Sequence, residues 1–466
     1  MINIDAVRLD AGPMSVVVMI VSLIAIVLLI TKGKTNPVYA MLLGAIGAGI
    51  AFGIPLQTVI PVVITGFGTT IGNIGIVILL GCTIGIILEQ TGGALVIANT
   101  ILKWVGKKNA ALAMMLSGYL VSIPVFSDTA IVIMTPVART VSAKSGTPRI
   151  AAFGALNAGI MATHTIVPPT PGPLAAAGTL GVDLGLMIAL GLIVAMAYSV
   201  AALIYCTSKF CVGRFPDPAK SDAVDATMVN DDLTIKSDKP LPGAPLSFAC
   251  LVVPIGLICL NSFGRLPIVA GGSAHALYGI LPLMAFIGHP VMALGIGVVM
   301  CFFLAAKELS REQISKWFSK SVDTSAFIIL ATGTAGSYGF VLRASGIGEF
   351  MGASIAATAM PVVLIPFFVT LLLVLSNGSA TVSLITGSMI MLPFMPYLGL
   401  HPVIVALALT AGASFFYHVN ASHFWVVVRS DNLTMREGFF NVSGGTAVGS
   451  IAAMVCVFVL SLFVTI

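Results

Sequence analysis

The chain has 466 residues, 58% of them hydrophobic and only 8% charged, with a mean hydropathy of +1.09, whereas an ordinary soluble domain carries roughly 25% charge. That composition excludes a soluble globular protein and specifies a polytopic integral membrane protein. The net charge of +5 is explained by membrane topology below and requires no nucleic-acid partner. Apolar runs near or above the roughly 20 residues that cross a bilayer as helix recur from Met14 to Ile466, and the ten-residue alternation of a membrane β-barrel is absent, so the predicted fold is all-α.

Residues 1–13 carry Asp5, Arg8 and Asp10 and are followed by no A-x-A site, which predicts an uncleaved first helix and no secretory signal peptide. Lys32 and Lys34 follow that helix. With these two in the cytoplasm and each apolar segment crossing once, except at the two segments described next, every Lys and Arg but Arg8, Arg265 and Arg343 falls inside. So strong a positive-inside bias supports the trace and puts both termini in the periplasm. The seven cysteines show no C-x-x-C spacing and sit mostly in apolar runs, as small buried hydrophobes rather than disulfides or metal ligands. No metal and no cofactor is expected.

Between Lys108 and Arg139, both cytoplasmic, lie 30 residues whose only charge is Asp128. That is too many for one span and too few for two at about 20 each, which predicts a re-entrant hairpin near 110–141. Its tip falls at Ser127, Asp128 and Thr129, behind Pro124. Non-helical backbone at such depth survives only when buried in protein or lining a wet cavity. Next, in "ATHTIVPPTPGPLAAAG" at 162–178, Pro168, Pro169, Pro171 and Pro173 remove backbone donors and clash with preceding turns, so a crossing near 150–180 is broken in its middle. Carbonyls freed there are expected to take part in a cavity. Residues 210–245, rich in Asp, Lys, Pro and Ser, read as a cytoplasmic linker between a first half, 1–209, and a second, 246–466. Further on, "SREQISKWFSKSVD" at 310–323 sets Ile314, Trp317 and Phe318 at helical spacing between lysines, the pattern of a helix lying on the inner leaflet or capping a span.

An internal repeat links the halves. "NPV" at 36–38 matches "HPV" at 289–291, "ALNAG" at 155–159 matches "ALTAG" at 408–412, and "LEQTGG" at 88–93 falls opposite "LRASGI" at 342–347, at offsets of 253, 253 and 254 residues. An odd number of crossings separates Asn36 from His289 in the trace, so the copies are inverted. Inverted repeats with broken helices mark a secondary transporter whose site lies at the repeat interface near mid-membrane. The repeat places a second hairpin near 359–396, its tip at Ser376, Asn377, Gly378 and Ser379, and a second broken helix near 401–428 containing His418, Asn420, Ser422 and His423.

"GFGTTIGNIG" at 66–75, "LEQTGGALVIA" at 88–98 and above all "ATHTIVPPTPGPLAAA" at 162–177 resemble the gluconate permease (GntP) family, over nearly the whole chain and in order. The resemblance implies a proton-coupled carrier of gluconate or another small hydroxy or amino carboxylate. It also implies the architecture of a wider ion-transporter superfamily, in which two hairpin tips hold substrate and coupling ion and a dimeric scaffold lets a transport domain slide as an elevator. "SDTA" at 127–130 and "SNGSA" at 376–380 look like those tips. The first departs from the family's aromatic–acid–small–Gly–Phe pattern, reading Phe126-Ser127-Asp128-Thr129-Ala130, which leaves substrate identity and the coupling ion, proton or sodium, open.

Only Glu89 and Asp128 among the 17 acidic residues lie within apolar segments, and a carboxylate at that depth is a functional candidate by default. Asp128 either caps the second half-helix of its hairpin or carries the coupled proton. Glu89, near a helix end beside Gly92 and Gly93, is either structural or a proton relay. No Lys or Arg lies in the spanning core of the trace, so an anionic substrate is expected to be held by half-helix N-termini, hydroxyls and amides. The residues so placed are Ser127, Asp128, Thr129, His164, Thr165, Ser376, Asn377, Gly378, Ser379, His418 and Asn420. The expected activity is symport of a small carboxylate such as gluconate, glycerate or 3-hydroxybutyrate into a bacterial cell across the inner membrane. Sodium-coupled carriage of a carboxylate or D-amino acid is the alternative, followed by export. A channel lacks the continuous polar stripe it needs, and an enzyme lacks a catalytic pair, since Asp128 has no acidic mate and no HExxH occurs.

Overall fold

The computed structural model describes residues 9–215, 241–264, 281–305, 310–350 and 360–464. Most of the expected linker, and the start of the expected second hairpin, lie outside the described residues. Among the described residues, eight helices are long and apolar enough to cross a membrane by length and composition.

The matched "NPV" and "HPV" triplets are helix starts. Asn36 accepts a hydrogen bond from the Val38 amide at 3.0 Å and His289 accepts one from Val291 at 3.4 Å, each followed by a proline at the first helical position, where its missing N–H costs nothing. After α1 (Pro13–Thr31), the first triplet opens α2 (Pro37–Ala51), which leads to α3 (Leu56–Gln90) and α4 (Gly93–Val105). Then come the hairpin arms α5 (Ala110–Val121) and α6 (Ser127–Ser145), the broken pair α7 (Arg149–Ile166) and α8 (Pro171–Leu180), and α9 (Leu184–Thr207).

Counting only helices of eight residues or more, the described residues of the second half hold eight. It has α10 (Ala244–Gly264), α11 (Pro290–Ala305), α12 (Arg311–Ala344), α13 (Leu364–Asn377), α14 (Ala380–Met391), α15 (Pro402–Ala413), α16 (Ser422–Ser430) and α17 (Gly444–Ser461). The arms of the second hairpin, α13 and α14, have 14 and 12 residues, too few for full spans.

The two longest helices, α3 and α12, pack along each other. At 1.5 Å per residue each is about 50 Å long against a hydrocarbon core of about 30 Å, so both run strongly tilted or project from the membrane. Glycines permit the approach. A Cβ on Gly66 would sit 2.7 Å from the Gly336 carbonyl and one on Gly336 would sit 2.0 Å from Thr70 Oγ1, and the Ser337 hydroxyl donates to the Val63 carbonyl at 2.9 Å. Residues 310–323 form no separate surface helix. A capping box of Ser310 and Gln313 starts α12, which continues unbroken to Ala344, because Phe318 packs on Phe302 of α11 at 5.6 Å between ring centroids and Trp317 packs against the core.

Helices α1, α2, α3, α10, α11 and α12 pack on one another, as do the helices at the two tips and the two breaks with α9 and α17, among them α8 against α14, α5 against α7 and α9 against α17; α9 against α10 and α12 against α14 join the two groups. The second group is tied across the halves by Asp431, fully buried after α16. Arg149 at the start of α7 donates to it at 2.7 Å, Arg139 of α6 lies 3.7 Å away, and the Arg139 guanidinium also donates to the Ser430 carbonyl.

Candidate functional site

A cavity of about 400 Å³ opens where the two groups meet. Both hairpin tips reach it, through Phe126, Ser127, Asp128 and Thr129 of the first and Gly378, Ser379, Ala380 and Thr381 of the second. Met161 and His164 enter from the end of α7, Tyr417, Ser422 and His423 from the second break, and Ile86, Glu89, Lys320 and Thr324 from α3 and α12.

Three helix N-termini, those of α6, α14 and α16, therefore face one space. Ser379 caps α14 by accepting from the Val382 amide at 3.3 Å, but α6 and α16 begin without a side-chain cap. Helix starts leave their first N–H groups without intrahelical partners and carry a partial positive charge, so uncapped starts lining a cavity form a site for an anion. Asp128 is thus not a cap. Its Oδ1 lies 3.0 Å from His423 Nδ1 and receives the Ser127 hydroxyl at 3.5 Å, while His423 Nε2 lies 2.8 Å from Asn157 Oδ1 of α7. The imidazole is buried whereas the carboxylate is 47% exposed, so the pair reaches from the protein interior to the cavity. His164 faces Phe126 at 6.4 Å between rings, and its Nδ1 is buried without a hydrogen-bond partner among the described residues.

Of the residues singled out by sequence, Ser127, Asp128, Thr129, His164, Gly378, Ser379 and Glu89 line this cavity. Thr165, Ser376, Asn377, His418 and Asn420 do not. Thr165 and Ser376 donate to carbonyls in their own helices, Met161 at 2.6 Å and Leu373 at 2.8 Å. Asn377 folds the tip, its Oδ1 accepting from the Ser379 amide at 2.7 Å. His418 and Asn420 bond the Leu375 carbonyl at 3.3 and 2.7 Å, fastening the second tip to the second break. The proline break also lies off the cavity. Pro169 faces Gly81 of α3 and Gly172 faces Leu384 of α14, and Thr170 Oγ1 bonds the freed Val167 carbonyl at 2.5 Å.

Sequence reasoning passed over Asn157, Lys320, Thr324, Thr381 and Tyr417. Asn157 had a signal, being the polar residue of "ALNAG" in an otherwise apolar run. Lys320 did not, because the trace assigns it to the cytoplasm, yet its Nζ lies 3.1 Å from Glu89 Oε1 in the cavity wall. The cavity therefore contains a cation that the sequence trace excluded.

The GntP family permease profile matches residues 14–463. A permease of Haemophilus influenzae is 33% identical over 90% of this chain and 86% of its own length. The gluconate permease of Pseudomonas aeruginosa is 30% identical over 95% and 96%, and the D-serine transporter DsdX of Escherichia coli K12 is 27% identical over 96% and 98%. Among solved structures, Neisseria gonorrhoeae MtrF, described as illuminating a class of antimetabolite efflux pumps, superposes with a TM-score of 0.66 at 15% identity, covering 88% of this chain and 85% of that one. The Alcanivorax borkumensis YdaH transporter superposes with a TM-score of 0.60 at 16% identity, covering 88% and 89%. These two share the fold. A profile match across nearly the whole chain, with full-length relatives at 30% identity and above, places this chain in the GntP family of permeases, as a transporter and not an enzyme.

Proposed function

We propose that this permease is a proton-driven symporter importing a small hydroxy-carboxylate, such as gluconate, glycerate or 3-hydroxybutyrate, across the bacterial inner membrane, with both termini periplasmic. The observation that carries the reading is the convergence of two uncapped helix N-termini on a cavity that also holds Asp128. The helix starts attract a carboxylate. Asp128, when ionised, repels it by about 4 kcal/mol for charges 4 Å apart at an effective dielectric constant of 20. A proton taken up at Asp128 and its hydrogen-bonded partners removes the repulsion, so anion and proton bind together and cross together. The inverted arrangement of the halves and an elevator-like sliding of the hairpin group against α3 and α12 complete the proposal, and a homodimer is its natural scaffold.

Reconstitution into proteoliposomes tests this with a panel of gluconate, glycerate, lactate, 3-hydroxybutyrate and D-serine under an imposed proton or sodium gradient. Proton-driven accumulation of a hydroxy acid is expected. In Asp128→Asn accumulation should vanish, while exchange of labelled for unlabelled substrate, which needs no net proton movement, persists in part and loses its pH dependence. Accumulation by a sodium gradient alone would overturn the proton assignment. Preference for D-serine, the substrate named for the relative DsdX, would overturn the substrate assignment and favour a D-amino-acid carrier.

A further inference from the structure

We infer that the end of α9 and the turn at 435–443 bind an anionic phospholipid, whose phosphate meets Arg214 and Arg436 and whose acyl chain lies along α9. The site is separate from the cavity, and the inference does not depend on the proposed symport.

Helix α9 is long and apolar enough to cross a membrane, and it leaves one apolar stripe uncovered. Ile193, Val200 and Ile204 are exposed, and steps of seven and four residues set them on one face of the helix. From Ile193 to Ile204 the stripe rises about 16 Å at 1.5 Å per residue. That is close to half of the roughly 30 Å hydrocarbon core, the depth of one leaflet. The chain then passes to Phe210, 52% exposed, on the short helix Lys209–Val212. Here charge stacks on aromatic rings. The Arg214 guanidinium carbon lies 4.1 Å from the centroid of the Phe210 ring and 5.0 Å from that of Phe440. Phe440 meets Phe215 edge-on at 5.8 Å, and the Arg436 guanidinium carbon lies 5.8 Å from the Phe215 ring. Phe440 belongs to a π-helical turn, Phe439–Ser443, and its carbonyl accepts the Tyr205 hydroxyl of α9 at 3.0 Å. That bond fixes the aromatic cluster at the end of the stripe, and turns of this kind are frequent at functional sites.

Stacking occupies the faces of the two guanidinium groups and leaves the N–H donors at their edges for a phosphate. Among the described residues neither Arg214 nor Arg436 forms a side-chain hydrogen bond or ion pair. The carboxylates of the neighbouring turn are engaged elsewhere: Glu437 accepts from the Thr434 amide at 2.7 Å, and Asp431 is buried against Arg149. Exposed Lys209 adds a third cation. An apolar stripe of one-leaflet depth that ends in cations complements an amphiphile with the same order of parts, acyl chain and then phosphate. A free phosphate would gain nothing from the stripe. The six aspartates between 217 and 238 are offset by three lysines, and they do not account for the stripe either.

The test is native mass spectrometry of the purified full-length protein in detergent micelles that contain equal amounts of phosphatidylglycerol and phosphatidylcholine with the same acyl chains. The wild type should retain phosphatidylglycerol in preference, and a large excess of inorganic phosphate should not displace it. Arg214→Gln with Arg436→Gln should weaken retention about fivefold for each cation removed. Lys32→Gln with Lys34→Gln removes the same charge at another helix end and should leave retention unchanged. Ile204→Ser should weaken retention of phosphatidylglycerol by loss of the chain contact. If the arginine double variant does not fold, a salt titration of the wild type replaces it, and retention must fall as salt rises. Equal retention of the two lipids, equal loss in the Lys32 and Lys34 control, or displacement by inorganic phosphate would overturn the inference. Unchanged retention in Ile204→Ser would overturn the placement of the chain on α9. A preference for phosphatidylglycerol that appears only after the six aspartates between 217 and 238 are replaced by asparagine would make that segment the occupant, and would overturn the inference as well.

Discussion

A lysine paired with a glutamate at the edge of an anion site can exchange one carboxylate for another. Lys320 Nζ lies 3.1 Å from Glu89 Oε1, with the lysine side chain 49% exposed and the glutamate 16%. Solvent screening of a half-exposed lysine holds its contribution to about 1 kcal/mol, so Lys320→Gln should raise the KM for a carboxylate substrate about fivefold. Glu89→Gln should act oppositely, lowering KM by freeing the lysine, and should retain proton-driven accumulation. An unchanged KM in Lys320→Gln would reduce the pair to a clip between α3 and α12. Loss of accumulation in Glu89→Gln would return the coupling role to Glu89. The residue pattern that betrayed Asp128 in the sequence was its isolation in apolar surroundings. Lys320 had none, since its neighbours in sequence are polar and its position in the cavity wall follows from the packing of α12 along α3.

Among the elements, the second hairpin tip depends on one backbone conformation. Gly378 has φ +72°, and a Cβ added there would lie 2.3 Å from the backbone carbonyl of Asn420. Gly378→Ala therefore meets left-handed strain of about 1 kcal/mol together with an overlap that only movement of the tip relieves. Its transport rate should fall sharply at normal expression. Gly146 has φ +74° and open space around its Cβ position, so Gly146→Ala isolates the strain and should transport nearly as wild type. Equal rates in the two variants would show that tip position is not critical. The first tip was marked in sequence by charged residues bounding a segment of awkward length, the second only by the repeat. Asn377 of that second tip folds the turn, and His418 and Asn420 of the second break fasten it, rather than lining the cavity. Polar residues near a tip look alike in sequence whichever way their side chains point.

At the level of the assembled chain, the cavity lies between a group containing α3 and α12 and a group containing both hairpins. If the groups slide past each other during transport, joining them should stop it. Thr324 of α12 and Ser379 of the second tip line the same cavity. A Thr324→Cys, Ser379→Cys protein, made without its seven native cysteines, should lose transport when a bifunctional thiol reagent cross-links it and regain it when a reducible cross-link is cleaved. Undiminished transport in fully cross-linked protein would exclude sliding at this junction.

Sequence alone is sufficient for the membrane class and the helical fold, and it marks the helix ends at Val121 and Ile166 that the folded chain shows. Each follows from a local property: apolar length measured against bilayer thickness, or the N–H that proline lacks. The repeat, again a one-dimensional signal, marks the helix starts at Pro37 and Pro290. The site itself required the folded chain. Asp128 and His423 are 295 positions apart, His423 and Asn157 266, and Glu89 and Lys320 231. Their meeting depends on helix tilt, on the angle at which each break turns the chain, and on which way a side chain leaves its helix. Hydropathy and spacing do not encode those quantities, because a polar group in an apolar run reads the same whether it bonds its own backbone, folds a tip or faces a substrate.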